Sequence, residues 1–286
     1  MSIVFILGNP RSGTSLLRLV LNAHPRISAP PECGFVQWNH ASFAERDFSD
    51  PAARHDLARA VHASRKFETW ELDVDALTRA FDAVETATYE SLCESVYRAY
   101  GRARGKPDVD VVVDKNNYYV EDPGAIARAA PSSRFVHLVR DGRDVACSYR
   151  AVQHAGHGGA YAPRLTEDVD RIASEWTANN ERVVEFLGSL DGTRSICVRY
   201  EDVVRDFEPT LRSLAEFLGV DVDPAMARFH ELNDEPEATL DWKRKTLGPL
   251  DPSTVGRHRR DLSNEERARF ESIAGRTLER FGYRCP

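Results

Sequence analysis

Residues 3–23 read IVFILGNPRSGTSLLRLVLNA, and the rest of the chain is organised around them. Ile3 to Leu7 is an unbroken apolar run closed by Gly8, the pattern of a strand buried on both faces. The turn Gly8-Asn9-Pro10-Arg11-Ser12-Gly13 follows. Leu16, Leu17, Val20 and Leu21 then recur at helical spacing, with Thr14 or Ser15 near the helix start. A strand, a glycine-bounded loop and a helix N-terminus make an anion cradle, because the loop amides and the unsatisfied first helical turn face one point. The two glycines have the spacing of the G-x4-G-K-[ST] phosphate loop, but Thr14 stands where that motif needs Lys. The cation has moved into the loop as Arg11. The stretch predicts a phosphate or phosphosulfate site.

The 286 residues are enough for one sizeable core, and the hydrophobic (42%) and charged (29%) shares are those of an ordinary globular protein. A net charge of −7 argues against a general nucleic-acid binder and leaves room for a local basic pocket. Five cysteines without a C-x-x-C pair fit a reducing compartment and no structural zinc. No run approaches the roughly 20 apolar residues of a membrane span. No basic segment precedes the first apolar run, so the expectation is a soluble, cytoplasmic protein without a membrane partner. Nearly all basic residues are Arg. The five lysines are Lys66, Lys106, Lys115, Lys243 and Lys245, and each marks a position where a compact ammonium is preferred to a guanidinium.

Outward from the cradle, Pro25 ends the first helix, and residues 26–35 with Pro30-Pro31 read as an extended loop. A short helix from Phe35 carries Trp38, and helices over about 51–66, 73–83 and 87–104 make a helical insert spanning about 35–105. Strands are predicted at 109–113, 134–139 and 195–198. Helices are predicted at 123–130, from 140–144 to about 153, and at 165–190, 208–218, 224–232 and 263–281, the last with a Ser263–Glu266 capping box. Residues 156–159 read as a flexible loop and 236–258 as irregular. Strands alternating with helices mean a three-layer α/β/α domain with a central parallel sheet, of the P-loop nucleotide-kinase-like class. Ligands in such sheets bind beyond the carboxyl ends of the strands, where the polar clusters 8–15, 114–117, 140–144 and 199–202 all fall.

The run Pro10-Arg11-Ser12-Gly13-Thr14-Ser15 resembles the 5′-phosphosulfate loop of the sulfotransferases that use 3′-phosphoadenosine 5′-phosphosulfate (PAPS). A second match is Phe135 to Ser148, FVHLVRDGRDVACS, which is similar to that family's 3′-phosphate element. There Arg140 at a strand end and Ser148 eight residues on meet one phosphate. Val198-Arg199-Tyr200-Glu201-Asp202 resembles the strand end whose Tyr lies near the adenine; core packing is the other reading of Tyr200. The resemblance implies PAPS as donor, PAP as product and no metal. It puts Lys115 beside the bridging oxygen, where it stabilises or protonates the leaving phosphate. The base of many relatives is a Glu soon after an Ala-His-Pro sequence. Here Ala23-His24-Pro25 precedes Glu32, which is the candidate base, although Gly34 replaces the family's Arg. Asn117 stands where other members have a His or a Pro. His24 reads as structural, and His154 and His157 as solvated. Arg143 and Asp144 are expected to pair with each other. The family's C-terminal closing loop is reduced to residues 251–258, with Arg257, or Lys243 to Lys245 upstream, supplying the lost charge.

Sulfuryl transfer needs positioned cations and N–H donors plus a base, and no divalent metal in principle. Asp114 reads as a Walker-type magnesium ligand or as a strand-end cap. The expected acceptor is a hydroxyl or amine on a small molecule, sugar, lipid or peptidyl tyrosine. The alternatives are a P-loop kinase using ATP and magnesium, disfavoured by Thr14, and a nucleotide-binding protein without turnover.

Overall fold

The computed structural model describes residues 2–156 and 160–284. His157, most of the 156–159 loop and Cys285 lie outside the described residues. Five parallel strands form one sheet in the order β2-β3-β1-β4-β5: β1 Ile3–Leu7, β2 Ile27–Ser28, β3 Val111–Lys115, β4 Arg134–Val139 and β5 Ser195–Arg199. β1 sits centrally, with Ile6 level with Lys115 on one side and Val136 on the other, and every residue of β1 is buried. The chain builds one flank through β2 and β3 and then crosses to β4, so the loop after β1 lies at the switch point, where α/β sheets open a ligand crevice.

Helices cover both faces. α1 (Thr14–Asn22) and α10 (Phe207–Leu218) pack with Val4, Ile6, Val113 and Val136 in one apolar cluster. On the other face the insert α2 (Phe35–Phe43), α3 (Pro51–His62), α4 (Val74–Asp82) and α5 (Tyr89–Ala103) packs with Phe5, Leu7 and Phe135 around Trp70 and Tyr97. Local chemistry sets the helix starts. Asp50 caps α3 with Pro51 in its first turn, and Thr88 and Ser91 form a capping box on α5. After α6 (Pro123–Ala129), α7 (Gly142–His154) and α8 (Val169–Gly188) come α9 (Tyr200–Arg205), α11 (Glu237–Lys243), α12 (His258–Asp261) and α13 (Asn264–Arg280). The Ser263–Glu266 capping box on α13 is present.

The structure departs from the sequence expectations in three places. The 26–35 loop contains β2. The strand expected at 109–113 runs at Val111–Lys115, because pairing with β1 continues through Asp114 and Lys115. Residues 236–258, expected irregular, hold α11 and two 3-10 turns, Arg244–Leu247 and Pro252–Thr254.

Candidate active site

The loop leaving β1 is shaped by its backbone. A Cβ on Gly8 would lie 2.7 Å from the Leu138 carbonyl oxygen, so the loop starts hard against β4. Gly13 has φ 96°, and a Cβ there would overlap the Tyr200 ring, so only glycine fits. Arg11 also holds a left-handed conformation, φ 68°, which costs an L residue about 1–2 kcal/mol. Asn9 ties the loop down: its Nδ2 donates to Tyr149 Oη at 3.3 Å, and its Oδ1 accepts from Asn179 Nδ2 at 2.8 Å. No side chain caps α1, whose first-turn amides stay open beside the loop.

Arg11 donates from Nε to Ser148 Oγ at 3.2 Å and from Nη2 to the Trp242 carbonyl at 3.0 Å. Burial, and then the neighbouring Arg140, lower its pKa to about 10. Arg140, just past β4, donates to the Arg11 carbonyl at 3.2 Å and the Thr254 carbonyl at 2.8 Å. Its guanidinium lies 4.3 Å from the centre of the Tyr200 ring, while Tyr200 Oη and Thr254 Oγ1 share a hydrogen bond at 2.8 Å. Two guanidiniums are thus bonded to neutral oxygens at one place, the hallmark of a site awaiting an anion. Ser12 Oγ and Arg140 Nε are buried with no partner among the described residues. Arg11, Arg140, Ser148 and Tyr200 therefore meet as the sequence predicts.

Lys115 ends β3 inside the protein. Its Nζ donates to Ser15 Oγ at 3.1 Å and pairs with Glu32 Oε1, while Lys66 Nζ donates to Glu32 Oε2 at 2.7 Å. Asn117 Nδ2 approaches Glu32 Oε1 at 3.4 Å, and Asn117 Oδ1 accepts from Thr14 Oγ1 at 3.3 Å. Burial favours a neutral Glu32, but Lys115, Lys243 and Lys66 together hold its carboxyl well below the usual range. Burial pushes Lys115 down to about 8 against the opposing pull of Glu32. Gly34, where the resemblance has an Arg, lies beneath the Trp38 indole: a Cβ there would come 2.6 Å from Trp38 Cε2.

Two expectations about neighbouring side chains are corrected. Arg143 and Asp144 do not pair: Arg143 reaches Asp141 at 2.8 Å and Glu271, while Asp144 accepts from the Gly256 amide (2.6 Å), the His258 amide (2.9 Å) and His258 Nδ1 (2.8 Å). Their adjacency in sequence puts them on different sides of the start of α7. Asp114 is no strand-end cap; it is buried and accepts from Tyr119 Oη, and burial raises its pKa to about 6. Arg257 lines the site, but its Nε is engaged by Asp261 at 2.7 Å. His24 is structural as expected, its ring nitrogens meeting the Asp221 carbonyl and the Arg26 amide. His154 is exposed and lies 3.5 Å from Glu167.

Arg11, Glu32, Lys115, Arg140, Ser148 and Tyr200 border a cleft of about 1400 Å³ between the cradle and residues 239–257. Lys66 lines it too and carried no motif. The available signal was composition, since four of the five lysines (Lys66, Lys115, Lys243 and Lys245) line this one cleft. Among the described residues no group of three or more His, Cys, Asp or Glu side chains is gathered to hold a metal ion.

Residues 3–224 match the sequence model of the Sulfotransferase family, and the chain belongs to that family. Protein-tyrosine sulfotransferase 2 of Gallus gallus is 27% identical over 240 residues, 82% of this chain and 56% of its own length. The omega-hydroxy-beta-dihydromenaquinone-9 sulfotransferase of Mycobacterium bovis is 25% identical over 313 residues, covering 98% of this chain and 75% of its own. The chain thus spans a little over half the length of the chicken relative. Among solved structures, the sulfotransferase domain from the curacin biosynthetic pathway superposes with a TM-score of 0.67 at 20% identity, covering 100% of this chain and 99% of that one. The sulfotransferase domain of the Synechococcus PCC 7002 olefin synthase gives 0.63 at 22% identity, with 99% and 95% coverage. These likenesses establish the fold.

Proposed function

We propose that the protein transfers a sulfuryl group from PAPS to a hydroxyl or amine acceptor and releases PAP. The observation that carries this reading is the pair Arg11 and Arg140, two guanidiniums whose hydrogen bonds among the described residues go to neutral oxygens, beside Ser12 Oγ and Arg140 Nε, which find no partner among those residues. When bound, the donor supplies a sulfuryl group activated on a phosphate leaving group. Arg11, the amides of residues 13–15 and the hydroxyls of Ser12, Thr14 and Ser15 fit the 5′-phosphosulfate, as anion cradles at helix starts do. Arg140 and Ser148 fit the 3′-phosphate, and the Tyr200 ring walls the nucleoside. Glu32 takes the acceptor's proton as the acceptor oxygen bonds to sulfur. Lys115 meets the negative charge left on the bridging oxygen as the old S–O bond breaks. The Lys115–Glu32 contact couples the two roles: drawing Lys115 toward the leaving phosphate removes a cation from Glu32 and makes it a stronger base.

The test is a thermal-denaturation titration with PAP beside ADP and ATP with magnesium. A ligand at 100 times its dissociation constant adds about 2.7 kcal/mol to the folded state. A rise in Tm with PAP alone, lost in Arg140→Ala, is expected. Glu32→Gln should keep the PAP response and lose about 10²- to 10⁴-fold in turnover. Preference for ATP with magnesium would sink the reading in favour of a kinase.

A further inference from the structure

Lys243, the last residue of α11, is buried and lines the same cleft as Arg11, Glu32 and Lys115. It lies beyond the residues that match the family, 3–224. Its Nζ donates to Glu235 Oε2 at 2.6 Å, its one hydrogen-bond partner among the described residues. Glu235 is held on its other oxygen by Arg18, from Nη2 at 2.8 Å and Nε at 3.3 Å. Arg18 belongs to α1, the cradle helix, and is itself pinned to the Ala29 carbonyl and Asp234, both at 2.8 Å. Burial opposes ionisation of Glu235, but Arg18, Lys243 and Lys115 pull its pKa down to about 2, so the carboxylate stays charged. The ammonium of Lys243 is therefore delivered to the cleft by a charged tether fixed to the cradle.

Its field reaches the reacting groups: Lys243 helps hold Glu32 ionised and helps push Lys115 down. An ammonium has three donors, and one carboxylate oxygen accounts for one of them. Glu235 and Glu32 offset Lys243 and Lys115, while Arg11 and Arg140 meet neutral oxygens among the described residues, so the cluster keeps an excess of positive charge suited to a polyvalent anion.

We propose that Lys243 is a donor-binding residue whose spare N–H groups take anionic oxygens of the 5′-phosphosulfate, with Glu235 holding the ammonium in readiness. The inference rests on the donor reading above and extends it to a residue outside the family match. A purely structural Lys243 would do no more than neutralise Glu235. The two roles differ in what removal of the carboxylate does. If Lys243 binds the donor, Glu235→Gln releases the ammonium from a competing anion and tightens PAP binding by about two- to fivefold, even as Tm falls. If Lys243 only balances Glu235, the same change leaves PAP affinity level or weakened.

The experiment measures PAP affinity by calorimetry and kcat/KM for PAPS in wild type, Lys243→Met, Lys243→Arg, Glu235→Gln and the double variant E235Q/K243M, each with its Tm. Lys243→Met is expected to weaken PAP by about 10- to 100-fold, the weight of one charge-assisted hydrogen bond. Lys243→Arg should recover part of that loss. The double variant, which buries no unpaired carboxylate, should recover Tm but not affinity. Wild-type protein that does not bind PAP overturns the donor reading itself. Wild type that binds PAP, with K243M and the double variant within twofold of it in affinity and kcat/KM, overturns the role of Lys243 alone.

Discussion

The cradle at residues 8–15 and the segment that covers it at 233–258 border the same cleft, yet they are held by different forces. The cradle hangs between β1, wholly buried, and α1, whose apolar face packs in the core, and its shape is set by main-chain angles at Arg11 and Gly13. The covering segment is fixed by polar bonds to distant parts of the chain. Glu235 meets Arg18, Thr254 meets Tyr200 and Arg140, the Trp242 carbonyl meets Arg11, and Gly256 and His258 meet Asp144. A site made this way has a rigid floor and a cover whose grip depends on charge. Floor mutations should therefore act through folding and cover mutations through affinity.

The sharpest way to break that contrast is Gly13→Ala. The left-handed φ and the overlap with the Tyr200 ring should cost roughly 2–6 kcal/mol of stability, read as a lower urea midpoint, with PAP binding lost alongside. An alanine variant as stable as wild type would show that the floor is not rigid. Asp144→Asn should act next most strongly. It removes the charge that receives two loop amides and His258, so PAP affinity should fall about tenfold, while hydrogen exchange at Gly256 and His258 accelerates. Burial opposes ionisation of Asp144, but His258 and the amides hold its carboxyl below the usual range. Its stabilisation is thus fully present above the ordinary Asp value of about 3.9 and is lost as pH falls through the lower folded value. Arg257→Ala should do least. Its partner Asp261 lies near the surface, so stability should move by less than about 1 kcal/mol and PAP affinity by two- to fivefold, with the difference shrinking at high salt.

The same contrast explains what could be read from the sequence. The floor is contiguous, so the apolar run, the two glycines and the helical spacing of Leu17, Val20 and Leu21 were all visible in one window. Arg140 and Ser148 were visible too, since a strand end and the next helix turn bring them together locally. The sequence pattern puts β3 two residues early because Asp114 and Lys115 look like loop residues; they remain in the strand because Tyr119 and Glu32 satisfy them inside the fold. The cover had no hydrophobic period to report. α11 follows Pro236, and its terminal Lys243 is neutralised by a carboxylate eight residues earlier, which is itself held by Arg18. Arg143 and Asp144 mislead for a related reason: neighbours of opposite charge invite a pair, whereas Arg143 turns to Asp141 and the distant Glu271 and Asp144 to the distant Gly256 and His258.

The Arg18–Glu235 tie has a consequence for synthesis. Its partners are 217 residues apart, so at about 5–20 residues per second Arg18 exists for roughly 10 to 40 s before its counter-charge has been made. For that interval α1 carries a guanidinium destined for the interior with no internal carboxylate from Asp234 or Glu235 to meet it. The helix that follows β1 is thus among the last to be neutralised, and the cleft cannot be closed on a nascent chain that stops short of Glu235.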